Sequence, residues 1–206
     1  VVFFRETAVG QSVVSYWFAK TLDTFVWLPI YTSAFVLVGY SSPAWFLQPL
    51  RAYWLFVFLA LSGFYGHGMV ASLLVGTGSA ALLALVFGIV AVIGFSGTVN
   101  AYGDLSEGGQ KFSNFWFLFW STQGIVSEEY DQYRYAFDID RLNDQTPDKY
   151  NSEFGIGSQT VGAGVGYGFD LESSYSRNAG FCALTVFAWY LIVLWTLKTK
   201  EHRKHR

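Results

Sequence analysis

The chain has one cysteine and one methionine among 206 residues, and only 14% of it is charged, against roughly 25% in an average soluble domain. Cys182 has no partner within the chain, so no internal disulfide staples any loop. So little charge argues against a soluble domain of this size, which would need more to cover its surface. No Gly-x-x-x-x-Gly-Lys-Ser/Thr phosphate loop is present. Gly162, Gly164, Gly166 and Gly168 alternate without the Gly-x-Gly-x-x-Gly spacing or a following lysine, and read as a tightly turned or flexible lead into the next helix. Asp138, Asp140, Asp144 and Asp148 lack the glycine and terminal glutamate of a calcium loop, and read as a solvated face. There is no Asn-x-Ser/Thr sequon, so N-glycosylation is not implied. The opening Val1-Val2-Phe3-Phe4-Arg5-Glu6 has neither the basic start nor the cleavage site of a signal peptide, and the one methionine is Met69. The expectation is a piece of a longer protein, or a product cut from one.

What is abundant is apolar length: 52% of the residues are hydrophobic and 20% aromatic. Crossing a hydrocarbon core of about 30 Å takes about 20 apolar residues as helix. Four stretches qualify, at residues 13–40, 52–75, 80–97 and 179–197. The first contains Lys20 and Asp23 near its start and Pro29 within it, and Ser41-Ser42-Pro43 ends it. The second contains His67 between two glycines. Between second and third, Gly76-Thr77-Gly78-Ser79 leaves room only for a reversal. Ala80, Ala84 and Gly88 then recur every four residues, a small-residue stripe that lets another helix approach closely. The fold class expected is an all-α integral membrane protein with four transmembrane helices, a re-entrant segment and a large extracytoplasmic loop.

Charge distribution supplies the orientation. Five basic residues crowd positions 198–206, while twelve of the fifteen acidic residues lie between Asp104 and Glu172. The positive-inside rule places the basic tail in the cytoplasm, where it can lie against anionic lipid. Four crossings then return residues 1–12 to that side, so both termini are cytoplasmic and residues 100–178 lie outside. Within that loop, residues 112–120 are too apolar for free solvent and too short to span, which predicts a re-entrant or interfacial segment. The rest of the loop is expected to fold as a small cap.

Phe4-Arg5-Glu6-Thr7-Ala8-Val9-Gly10, followed by Ser15-Tyr16-Trp17-Phe18-Ala19-Lys20, resembles the Arg-Glu-Ser-x-x-Gly…Tyr-x-x-(Ala/Gly)-Lys stretch of G-subfamily ABC transporters, the white/breast-cancer-resistance type. The plant half-size members look nearest. Phe95-Ser96-Gly97 with Val99-Asn100 is similar to the end of that family's fifth membrane helix. Glu128-Glu129-Tyr130 and Gly166-Tyr167 also fit the order. The resemblance covers nearly the whole chain, as the second half of the family's membrane domain. It implies a coupling loop at Arg5, Glu6, Thr7 and Gly10, a substrate cavity lined by Ile89, Val90, Ile93 and Phe95, and an exit gate at Thr98 and Val99. It also implies dimerisation with a like or unlike half-transporter. A nucleotide-binding domain outside this chain would supply ATP and Mg; the chain itself implies no cofactor, no metal and no catalytic residue. Thr98-Val99 stands where some drug exporters carry a Leu-Leu pair, and the loop cysteines of animal members are absent.

Each candidate has a plainer reading. The Arg5–Gly10 stretch is also what a solvated juxtamembrane loop looks like. Lys20 and Asp23 suit a relay between helices or, more simply, a snorkelling lysine with a local ion pair. His67, lacking an acidic partner at its depth, reads as a neutral histidine hydrogen-bonded to a neighbouring helix rather than a proton relay. Ile89, Val90 and Ile93 suit a hydrophobic ligand, helix packing or lipid equally. The function expected is the membrane portion of an ATP-driven transporter of lipids, sterols or other amphipathic compounds. The alternatives are a non-transporting four-helix scaffold of tetraspanin or claudin type, which normally has loop cysteines, or an accessory subunit of a membrane complex.

Overall fold

The structure, a computed structural model, describes residues 12–41, 49–75, 77–96, 104–137 and 174–204. Every regular element among them is a helix: α1 (Val13–Ser41), α2 (Leu50–Leu74), α3 (Thr77–Phe95), α4 (Glu107–Asn114), α5 (Phe117–Phe137) and α6 (Tyr175–Lys204). Three of these, α1, α2 and α6, are long and apolar enough to cross a membrane, and α3 contains a shorter apolar stretch, Ala81–Gly94.

Local chemistry sets several helix ends. The Ser12 hydroxyl accepts the Ser15 backbone N–H at 3.1 Å, capping α1. That helix continues through Pro29, although proline has no N–H to donate. Pro49, extended at φ −60° and ψ 133°, starts α2, its carbonyl accepting from Ala52 and Tyr53. Val75 closes α2 by donating to the Ala71 carbonyl, and α3 opens two residues later, so Thr77, Gly78 and Ser79, expected in a turn, belong to its first turn of helix. The Ser106 hydroxyl caps α4 by accepting from Gly109 at 3.3 Å.

Outward faces are as apolar as inward ones. Val26, Trp27, Ile30, Tyr31 and Val38 of α1, Leu82, Leu85 and Val90 of α3, and Leu184, Phe187 and Trp195 of α6 are all about half exposed or more. A helix apolar all round suits a hydrocarbon solvent, whereas a water-soluble monomer rarely shows such contiguous patches.

The bundle is organised about α2, which touches α1, α3, α5 and α6. Two aromatic rings lock it to α5. Phe117 is wholly buried against Gly63, where an added Cβ would lie 2.5 Å from the ring. Phe56 is likewise wholly buried, and its ring occupies the space a side chain at Gly124 would need. Gly66 lets α6 approach, its Cβ position lying 3.3 Å from Trp189 Cβ.

These pairings fix direction. Along α5, Phe117 meets Gly63 and Gly124 meets Phe56, so α5 runs antiparallel to α2. Val193 and Leu197, late in α6, pack with Val70 and Leu73, late in α2, so α2 and α6 run the same way. Val13 belongs to that same cluster, which brings the start of α1 beside the end of α6. The expected re-entrant run, residues 112–120, forms the α4–α5 corner. Phe112 and Phe115 are exposed there, while Trp116 to Trp120 are all buried in the main core with Cys182, Val186 and Tyr190.

Two boundaries depart from expectation. α6 begins at Tyr175 rather than residue 179 and continues through the basic residues to Lys204. α5 runs on to Phe137, taking ten residues that the charge pattern assigns to a cap.

Candidate functional site

The helix expected to line a cavity is α3. Of its apolar side chains Ala91 is buried, while Leu82, Leu85, Val86, Phe87, Ile89, Val90, Val92 and Ile93 are exposed. Gly88, the last residue of its small-residue stripe, faces α2, where a Cβ would sit 3.6 Å from the Phe64 ring, an ordinary packing distance. Beside that contact runs a groove of about 340 Å3 lined by Phe64, Ala84, Leu85, Gly88, Ile89, Val92 and Ile93. Ile89 and Ile93 thus share one apolar groove, whereas Val90 faces outward, 54% exposed, and is not part of its lining. Phe95 is the last residue of α3. Arg5, Glu6, Thr7, Gly10, Thr98 and Val99 lie outside the described residues, as do the 138–148 aspartates and the 162–168 glycines.

Lys20 and Asp23 are both exposed, and they form no ion pair with each other. Placed in the first three turns of α1, they leave residues 24–41 free of charge. That is eighteen residues, or about 27 Å of helix.

His67 departs from expectation. It is buried, and neither ring nitrogen has a hydrogen-bond partner among the described residues. Instead it sits among aromatic rings from three other helices or their joints: Phe87 at 5.6 Å, Trp116 at 5.8 Å and Trp189 at 5.1 Å between centroids. Trp116 and Trp189 meet each other edge-on at 5.2 Å and 83°. The expected hydrogen bond to a neighbouring helix is replaced by edge-to-face ring contacts, which contribute about 0.5–1.5 kcal/mol per pair. Among the described residues no acidic side chain joins the cluster.

A buried polar contact between α5 and α6 has no counterpart among the candidates. The Gln123 amide on α5 donates to Asn178 Oδ1 on α6 at 3.1 Å, and Asn178 Nδ2 donates to Ser127 Oγ at 3.2 Å. The Ser127 hydroxyl in turn donates to the Gly124 carbonyl, and Ser121 donates to the Phe56 carbonyl on α2 at 2.9 Å. Gln123, Ser127 and Asn178 are all buried. Sequence offers only a faint signal: Gln123 and Ser127 lie one helical turn apart.

At the same end of the bundle, Glu128 is partly buried, and this raises its carboxyl above the ordinary value. Asp131 raises it further, while Arg51 on α2 opposes both. Among the described residues no three metal-ligating side chains gather in one place. No family model, no curated protein and no solved structure matches this chain.

Proposed function

We propose that the chain is the membrane-embedded portion of an ATP-driven transporter for lipids, sterols or other amphipathic compounds, in the manner of the G-type ABC transporters its sequence resembles. A nucleotide-binding domain elsewhere would hydrolyse ATP. The observation that carries the reading is the outward apolar face of α3, with Ile89 and Ile93 set in a groove beside Phe64. A second protomer applied to this face would enclose the groove and make a cavity for an apolar cargo.

In this reading α3 is the fourth crossing. Because α2 and α6 run the same way, the chain must recross the bundle between them. α3 starts where α2 ends and, at nineteen residues or about 28 Å, has the length to make that return. The α4–α5 corner, with Trp116 beside His67, then dips back inward and rises antiparallel to α2, as a re-entrant segment would. The start of α1 beside the end of α6 supports termini on one side, the cytoplasmic one by the basic tail.

The test is oxidative cross-linking in native membranes of Ile89→Cys and Ile93→Cys, with Leu184→Cys on the exposed face of α6 as comparison. Cys182 is fully buried and contributes little background. The reading expects disulfide-linked dimers through positions 89 and 93, few through 184, and vanadate-sensitive ATP hydrolysis purifying with the protein. Equal cross-linking at all three sites, or a dimer devoid of ATPase, would instead favour a scaffold or an accessory subunit.

A further inference from the structure

Lys20 and Asp23 sit deeper in the bundle than their place near the start of α1 suggests. Just before them, the Trp17 indole donates to the Tyr190 carbonyl of α6 at 3.1 Å, and the Tyr190 ring packs on Gly66 of α2. Just after them, the Phe25 ring meets the Phe58 ring of α2 at 6.1 Å. Thr21, between the two charges, lines a crevice with Leu59 and Ser62. Both charges are therefore level with residues 58–66, the middle of α2. Residues 50–57 and 67–74, about 12 Å of helix each, lie to either side.

α2 and α6 are both long and apolar enough to span. If α1 crossed by its charge-free residues 24–41 alone, the second halves of α2 and α6 would stand in water. Yet Phe187, Leu191 and Trp195, in that half of α6, are exposed and apolar. When all three helices cross together, Lys20 and Asp23 lie within the hydrocarbon, too deep for an aspartate to reach either surface. Both are exposed, and they form no ion pair with each other. Ionisable groups at such depth face a bundle interior or a charged partner, not lipid. On α1 they belong to one seam with Trp27, Ile30, Ala34 and Leu37, spaced alternately three and four residues apart. All six side chains are exposed.

We propose that this seam of α1 packs against the same seam of a second copy of the chain, with Lys20 of each copy paired to Asp23 of the other. A two-fold axis along the membrane normal sets the two α1 helices side by side and parallel, and makes every contact occur twice. Lys20 and Asp23 are three residues, about 4.5 Å, apart along the helix, an offset that a lysine side chain spans across the seam. With one charge of each sign, the patch is its own complement. A lipid headgroup lies at the wrong depth, and an apolar helix would leave both charges unpaired. Ala34, small and on the same seam, lets the two backbones approach. This face is separate from the α3 groove and rests only on the bundle lying in a membrane.

The test is oxidative cross-linking of the full chain in native membranes, with Ala34→Cys on the seam and Phe18→Cys on another exposed side of α1 as comparison. Disulfide-linked dimers should form through position 34 and few through 18. In the Ala34→Cys chain, Lys20→Asp makes the patch wholly acidic and Asp23→Lys makes it wholly basic. Either change alone should lower cross-linking roughly tenfold, because like charges then meet across the axis. Co-expressed under different tags, the acidic and basic chains should recover it as mixed dimers. Neither a lipid-facing patch nor an ion pair within one chain gives recovery by mixing. Equal cross-linking at 34 and 18, or mixing that restores nothing, would overturn the proposal. So would Ala34→Cys linking only to a different protein, which would assign the seam to that protein's helix. The comparison of 34 with 18 holds whether or not the charge variants fold. Dimers through 34 with none through 89 would keep this interface and remove the α3 one, and the reverse would do the opposite.

Discussion

Asn178 should be the most sensitive polar position in the bundle. It is wholly buried at the start of α6, accepting from Gln123 at 3.1 Å and donating to Ser127 at 3.2 Å. Replacing it with leucine keeps the volume but leaves the Gln123 amide without its acceptor and Ser127 without its donor. Each orphaned buried group costs about 1–3 kcal/mol, so Asn178→Leu should destabilise by roughly 2–5 kcal/mol. Gln123→Leu alone leaves Asn178 its bond to Ser127, and should cost about 1–2 kcal/mol. The double variant removes both partners of the Gln123–Asn178 bond together, so the two effects should fall short of additivity by about 1 kcal/mol. Melting temperature in mild detergent, followed by tryptophan fluorescence, reads all four proteins of the cycle. Strict additivity within about 0.3 kcal/mol would mean that the α5–α6 junction is held by packing alone. The amide chain would then have no part in anchoring the first turn of α6.

Two further outcomes follow from the same helices. Gly63→Ala places a methyl group 2.5 Å from the Phe117 ring and should cost about 1–3 kcal/mol by overpacking; Phe117→Leu in that background should restore part of the loss, and a Gly63→Ala protein melting at the wild-type temperature would show that the ring is not clamped there. Glu128, its carboxyl raised by burial and by Asp131, binds its proton more tightly folded than unfolded. Stability from this group is therefore greatest below the ordinary value of 4.5 and declines as pH rises through the folded value. Glu128→Gln should melt higher than wild type at pH 7, with the difference closing below pH 4.5; a difference independent of pH would remove burial as the cause.

The sequence makes visible what depends on unbroken runs. α1, α2 and α6 contain the apolar stretches because a span must be continuous, although α1 holds Lys20, Asp23 and Pro29 and α6 runs on through its basic residues. Ile89 and Ile93, which the resemblance implies as cavity residues, are four apart and line one groove. What fails to show is whatever needs a partner distant in sequence. Gln123 and Asn178 are fifty-five residues apart, and alone each reads as an ordinary surface amide, so pattern alone ends α5 early and starts α6 late. His67 is misread for the same reason. Its neighbours Phe87, Trp116 and Trp189 come from three separate stretches, and nothing near position 67 announces that rings rather than hydrogen-bond acceptors will surround it.

The distribution of polar groups separates a fixed part of this bundle from its open faces. Where α5 meets α2 and α6, every contact is specific: two rings in two glycine notches, a serine on the Phe56 carbonyl, and an amide chain in which each member has a partner. Such contacts have few alternative arrangements, since a shift of one residue would put a Cβ into a ring and strand an amide in a low-dielectric interior. α3 shows the reverse. It meets α2 where Gly88 faces Phe64 and Phe87 faces His67, and carries apolar side chains on its outer face that hydrocarbon, a second chain or a cargo would serve equally well. A helix held by nondirectional contacts against a rigid neighbour can slide or tilt at small cost, whereas α5 cannot. The directional contacts described thus join α5 to α2 and α6, whereas those of α3 with α2 are apolar.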